Sequence, residues 1–204
     1  MEAAARLLER ETAGLVSWGC AAALAPHLEP GDLVLPQAVL GADGRRQAIT
    51  AEWRDRLVRA LSPALPVHSG TLLESARILP DRPAKQVLYA RTGALAADME
   101  SAAIAHVAQS RGLPFLAVRA IADSAAMRLP EAVTAALGPR GDIAWAKLLG
   151  HCLRQPIQII ELARLGRAFG AAMATLRRVR ALSGADCGFT SPCAGASPIQ
   201  PIPR

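Results

Sequence analysis

Aromatic side chains are scarce in this chain: three Trp, three Phe and one Tyr among 204 residues. The hydrophobic share is nonetheless 51%, so a core must be built mostly from Ala, Leu, Val and Ile. Long apolar runs are missing too. Arg or Pro interrupts each well short of the ~18 residues that a membrane-spanning helix needs. No secretory signal is visible: residues 1–11 read as an Ala-, Arg- and Glu-rich helix, not a charged stretch leading into an apolar one. The four cysteines, Cys20, Cys152, Cys187 and Cys193, contain no Cys-x-x-Cys pair. They share no metal-like spacing with His27, His68, His106 or His151. Reduced thiols, structural or surface histidines, no metal and a cytoplasmic location are the resulting expectations. Internal repeats are absent.

What is present is basic. The formal charge is +6, and it is uneven. Residues 151–182 hold Arg154, Arg164, Arg167, Arg177, Arg178 and Arg180 against Glu161 alone. Such a segment is a solvated helix face by default. An anionic membrane surface, at the inner face of the membrane, is the alternative. Aromatic interleaving is minimal and no nucleic-acid motif appears, which argues against nucleic acid as a partner.

Periodicity and punctuation give an α/β order. A helix over 2–11 precedes a strand at 13–18, a turn, a strand at 32–39 and a helix at 51–61. A strand near 65–69, a small helix at 72–78, a strand around 94–97, a helix at 99–111 and a strand at 115–121 follow. Beyond Pro130 the pattern turns helical, at 142–153 and 157–182. Residues 183–204 hold Gly184, Gly188, Gly195 and four prolines without periodicity, and read as a disordered tail after one domain over 1–182.

Two acidic groups fall at predicted strand ends, where open α/β sheets bind ligands. Asp98-Met99-Glu100-Ser101 closes one strand and opens a helix. Asp123 closes Phe115-Leu116-Ala117-Val118-Arg119-Ala120-Ile121-Ala122. Two further blocks stand upstream. Gly14-Leu15-Val16-Ser17-Trp18-Gly19-Cys20-Ala21-Ala22-Ala23-Leu24 runs into Pro30-Gly31-Asp32-Leu33-Val34-Leu35-Pro36, and Val67-His68-Ser69-Gly70-Thr71-Leu72 follows later.

In order and spacing over residues 13–127 these blocks resemble the nucleoside phosphorylase and nucleosidase superfamily. Within it, the Ser-aromatic-Gly turn, short middle region and Arg- and Leu-rich helical C-terminus resemble hopanoid-associated phosphorylases. The resemblance implies a central mixed sheet flanked by helices. It implies phosphorolytic release of adenine from adenosylhopane, a nucleoside with a lipid tail. Phosphate would be co-substrate, with no other cofactor. A hydrolytic nucleosidase of the methylthioadenosine or adenosylhomocysteine type is one alternative. A non-catalytic nucleoside- or membrane-binding domain is another. Relatives open with a strand, a Gly-rich loop and a hairpin ahead of the helix at 2–11, so an N-terminally truncated fold with an uncovered sheet edge, prone to form a homo-oligomer, is a further expectation.

Cleaving a purine N-glycosidic bond needs a proton for the leaving base, a grip on the sugar and a nucleophile on the opposite face, as in glycoside hydrolysis. By match to the family, Asp123 would protonate the base. Its plainer reading is a turn Asp before Ser124. Glu100 would accept the paired ribose hydroxyls. Its plainer reading is a first-turn Glu favoured by the helix dipole. Met99 would pack on the sugar or simply in the core. Asp98 reads as a helix cap. Leu73 stands where relatives place an aromatic against the base. The turn at 17–22, with Gly19 and Cys20, occupies the position of an anion cradle. Cys20 replaces a hydroxyl there, and Ala22 and Ala23 replace glycines, so phosphate binding at the turn stays open. Ala122 stands where the family often has Ser.

Overall fold

The structure is a computed structural model that describes residues 12–130 and 157–190. The helices expected at 2–11 and 142–153, and residues 191–204, lie outside the described residues. Eight strands form one mixed sheet, ordered β4-β3-β6-β7-β1-β8-β2-β5. They are β1 (Leu15–Ala23), β2 (Leu33–Val34), β3 (Ala38–Leu40), β4 (Arg46–Ala48), β5 (Val67–His68), β6 (Thr71–Glu74), β7 (Ala96–Asp98) and β8 (Phe115–Asp123). Four helices flank it: α1 (Ala51–Leu61), α2 (Arg82–Thr92), α3 (Ser101–Ser110) and α4 (Ile157–Ser183). This is the mixed α/β architecture that the sequence led us to expect.

The centre is the parallel pair β1 and β8, in register from Leu15↔Phe115 to Ala21↔Ile121. β8 is buried at every residue but Ala122, which matches its continuous apolar run. After Ala21↔Ile121 the register jumps to Ala22↔Asp123, so Ala122 is an extra residue on β8. Bulges of this kind re-aim side chains beside functional sites. Here the bulge sets the direction of the strand end that carries Asp123.

Several local expectations need correction. The strand expected at 32–39 is split into β2 and β3, with Pro36 between them, because proline lacks the N–H a ladder requires. The segment 72–78 is not a helix: Thr71–Glu74 is β6, parallel to both β3 and β7. A short apolar run has no period of its own, and pairing on both sides decides it. The helix α2 was not expected. Its signals are nevertheless complete: Asp81 caps through its side chain onto the Ala84 N–H at 3.0 Å, Pro83 sits in the first turn, and Gly93 closes it at φ 63°. Residues 17–22 are not a turn either. They continue β1, which pairs with β8 from Leu15 to Ala22 and with β7 at Ala22 and Ala23.

α4 lies mainly on β8. Its buried residues Ala168, Ala172, Leu176 and Val179 recur at helical spacing and form one stripe. Arg164, Arg167, Arg177, Arg178 and Arg180 are exposed around it. The described part of the basic segment, 157–182, is thus a packed helix with solvated arginines, and Arg154 lies outside the described residues. Gly31 fits the turn before β2 for two reasons: its φ is 97°, and a Cβ there would stand 3.3 Å from the Ala171 Cβ of α4.

Residues 184–190, read from sequence as the start of a tail, fold back onto α1. Cys187 is buried, its carbonyl accepts the Trp53 indole N–H at 3.0 Å, and Phe189 meets the Trp53 ring edge-on at 4.7 Å. Trp53 is 2% exposed, so in an aromatic-poor core it fills the largest single volume. Trp53→Ala should cost about 3–5 kcal/mol of stability and release 184–190 to proteolysis. Trp53→Phe should cost less, about 1–3 kcal/mol, through the orphaned carbonyl. Urea unfolding and limited proteolysis of the variants check both values.

Candidate active site

The ends of β1, β7 and β8 meet at one cleft of about 280 Å³. Its walls include Cys20, Asp98, Met99, Glu100, Ala122 and Asp123 from those strand ends. Ser75, Arg77, Ile78 and Leu79 after β6, and Leu129 after β8, complete it. A second apolar hollow of about 530 Å³ adjoins it, sharing Ser75, Arg77 and Leu79 and adding Pro83, Val87 and Leu88.

Beneath the cleft lies a buried polar cluster. Arg119, from β8, donates through Nε to Asp98 Oδ2 at 2.6 Å and through Nη2 to Ser17 Oγ at 2.6 Å and Ser101 Oγ at 2.9 Å. Its Nη1 donates to the Val118 carbonyl at 3.0 Å. Asp98 also accepts the Ser101 hydroxyl and, at 3.2 Å, the Ser101 backbone N–H. Asp98 is therefore not the N-cap residue expected, which is Glu100; from two residues before it Asp98 accepts the first N–H of α3, and it pairs with a guanidinium as well. All four side chains are buried. The cluster joins β1, β7, β8 and α3, and it fixes the peptide that carries Met99 and Glu100.

The sequence candidates divide in two. Asp123, Glu100, Met99 and Cys20 share the cleft. Glu100 is exposed at the N-cap position of α3, with no capping bond from its side chain, and Met99 is 48% exposed. Gly19 and Leu73 do not line the cleft. Gly19 is mid-strand, opposite Arg119 in the β1–β8 register. Leu73 is buried on β6 in a small cluster with Leu24, Ala94 and Ala97. The base-facing position expected for Leu73 is lost because β6 is a strand whose Leu73 side packs inward. Ile78 and Leu79 supply apolar wall instead.

Cys20 has its thiol pushed up by burial, against which Arg119 acts weakly, so it is no ready nucleophile. Asp123 is 8% exposed, and burial holds its carboxyl above the ordinary aspartate value even though Lys85 opposes the shift. Lys85, from α2, is fully buried and donates to Asp123 Oδ2. Sequence reasoning missed both Lys85 and the Arg119 cluster. Neither has a spacing signal, and the caps of α2 are the only sequence cue that leads toward Lys85. The His27 and His68 rings pair 5.8 Å apart, and neither lines the cleft. Among the described residues no group of His, Cys, Asp and Glu could hold a metal ion.

Residues 1–144 match the family model of the phosphorylase superfamily, and the chain belongs to that superfamily. Among solved structures it is similar to S-adenosylhomocysteine nucleosidase from Streptococcus pyogenes, at 24% identity and TM-score 0.57, over 61% of each chain. It is also similar to 5′-methylthioadenosine/S-adenosylhomocysteine nucleosidase from Helicobacter pylori, at 16% identity and TM-score 0.59, over 86% of this chain and 71% of that one. Futalosine hydrolase of Helicobacter pylori matches at 19% identity and TM-score 0.56, over 60% of each. At these identities the likeness is one of fold. The chain spans less than two thirds of the Streptococcus enzyme's length. No curated protein gave a match.

Breaking a buried ion pair strands the remaining charge. Arg119→Met should therefore cost about 3–5 kcal/mol, with Asp98 left uncompensated. Adding Asp98→Asn should recover part of that loss. Urea denaturation of the two single variants and the double variant measures the coupling.

Proposed function

We propose that this chain cleaves the N-glycosidic bond of a purine nucleoside. The observation that carries the reading is the convergence of Asp123, Glu100 and Met99 on one cleft at the strand ends, in a chain of this superfamily. A buried carboxyl whose proton affinity is raised suits donation to a leaving base at neutral pH. An exposed carboxylate at a helix start suits two sugar hydroxyls. Met99 would cover the sugar.

The finer reading is phosphorolysis of a nucleoside with a lipid tail, adenosylhopane, releasing adenine. Its support is the apolar hollow that continues from the cleft past Leu79 to Val87 and Leu88. Phosphate would be the attacking co-substrate. With residues 17–22 in β1, a phosphate site at that position would have to form along the strand and not in a turn. Hydrolysis is the second reading, favoured by the nucleosidases and the hydrolase among the solved structures of like fold.

No helix among the described residues is long and apolar enough to cross a membrane. Peripheral docking on anionic lipid would use the exposed arginines of α4 with Ile160 and Phe169, which are 52% and 50% exposed. Each basic residue near such a surface is worth about 1 kcal/mol. Co-sedimentation with anionic vesicles that vanishes in high salt supports docking. Binding indifferent to lipid charge rejects it.

Base release from adenosine, 5′-methylthioadenosine and a lipid-tailed adenosine, with and without inorganic phosphate, tests the reaction. A sugar 1-phosphate marks phosphorolysis, and a free sugar marks hydrolysis. Asp123→Asn should lower kcat by about 10²–10⁴-fold, since an amide cannot give up a proton. Glu100→Gln should raise KM as well as lower kcat. Full activity of Asp123→Asn removes Asp123 from the mechanism.

A further inference from the structure

α2 buries one residue, and that residue is Lys85. Burying an ammonium costs several kcal/mol unless all its donors are met. An apolar side chain would serve packing better. The Lys85 donors are all met. Nζ donates to Asp123 Oδ2, to the Ser124 carbonyl at 2.8 Å and to the Met127 carbonyl at 3.1 Å. Three donors face three acceptors, the full complement of an ammonium. The same bonds tie α2 to the loop after β8, which the Leu129 N–H closes onto the Pro80 carbonyl at 2.8 Å. Among the described residues no protein donor reaches the other Asp123 oxygen, Oδ1, and Asp123 lines the cleft.

We propose that Lys85 is a positioning residue that holds the proton Asp123 delivers, so that the acid of this site is a lysine–aspartate dyad. This rests on the purine-nucleoside reading above. As the bond between sugar and base breaks, its electron pair enters the purine ring. A ring nitrogen takes a proton from Asp123, and Asp123 takes one from the Lys85 ammonium. The base leaves neutral, Asp123 is left a carboxylate and Lys85 becomes an amine. The sugar cation is captured by phosphate or water. Solvent returns the proton through Asp123 once the base departs.

Other charged or titratable groups near Asp123 are the carboxylates Glu100 and Asp98 and the Cys20 thiol across the cleft, Arg77 on its wall, Arg128 in the following loop and Arg119 deeper in β8. Among the described residues Lys85 alone makes an ion pair with Asp123.

A pH profile separates the dyad from a merely structural lysine. With adenosine and 5′-methylthioadenosine as probes, the wild-type rate should stay level over about pH 6 to 8, because the pair keeps its shared proton. Lys85→Met should leave Asp123 a lone buried acid that relies on its own proton, so its rate should gain a single limb descending with rising pH that wild type lacks. Lys85→Arg keeps the positive charge but cannot give up a proton, so it should not restore the level profile; a level profile in Lys85→Arg overturns the proposal. A Lys85→Met profile parallel to wild type overturns the proposal. Where Lys85→Met does not fold, Lys85→Gln carries the same pH profile. Where wild type releases no base from either probe, urea denaturation of Lys85→Gln, Asp123→Asn and the double variant decides instead, and stability losses that simply add overturn the dyad. Absence of base release with that coupling intact rejects the reaction alone.

Discussion

The Arg119–Asp98 ion pair is the contact on which the site geometry rests. A guanidinium and a carboxylate in the sheet interior carry a large desolvation cost, which only full hydrogen bonding offsets. Ser17 and Ser101 complete that bonding. The four residues come from β1, β7, β8 and the first turn of α3, so the pair cannot form unless those elements are already in place. In return it pins the Asp98 peptide, and with it Met99 and Glu100, at the mouth of the cleft.

A second buried pair sits one step further along the same strand. Lys85 and Asp123 repeat the logic with fewer partners and a more accessible carboxylate. The first pair is locked by the side chains of two serines. The second is held by backbone carbonyls and, among the described residues, keeps one carboxylate oxygen without a protein donor. That contrast separates a structural ion pair from one suited to moving a proton. The bulge at Ala122 lies between them and changes which way the strand end points.

Much of the fold was legible. α1, α3 and the buried strand β8 announce themselves by length, caps and apolar runs. A carboxylate of Asp98 near the start of a helix followed from the sequence, though the N-cap position itself falls at Glu100. Errors clustered where the local signal was short. The residues 72–78 have no period strong enough to choose helix or strand, and β6 exists because β3 and β7 pair with it on both sides. The Gly19 segment resembled a turn because it contains glycine and small residues. It is a strand because β8 pairs with it in continuous register up to Ala21, before the bulge.

Composition alone determined that the core would be aliphatic, that its few large aromatics would matter singly, and that residues 151–182 would be basic. Sequence order alone placed Asp123 and Glu100 after strands. That follows from local physics: capping, propensity and apolar run length act within a few residues. Tertiary structure decided which of the candidates meet. It brought Cys20 into the cleft, turned Leu73 into the core and drew Lys85 thirty-eight positions in sequence from Asp123 into contact with it. A lysine on a helix reads as solvent-facing until its partner is known, because the burial of a charge is set by the groups that satisfy it, and those groups are assembled only by the fold.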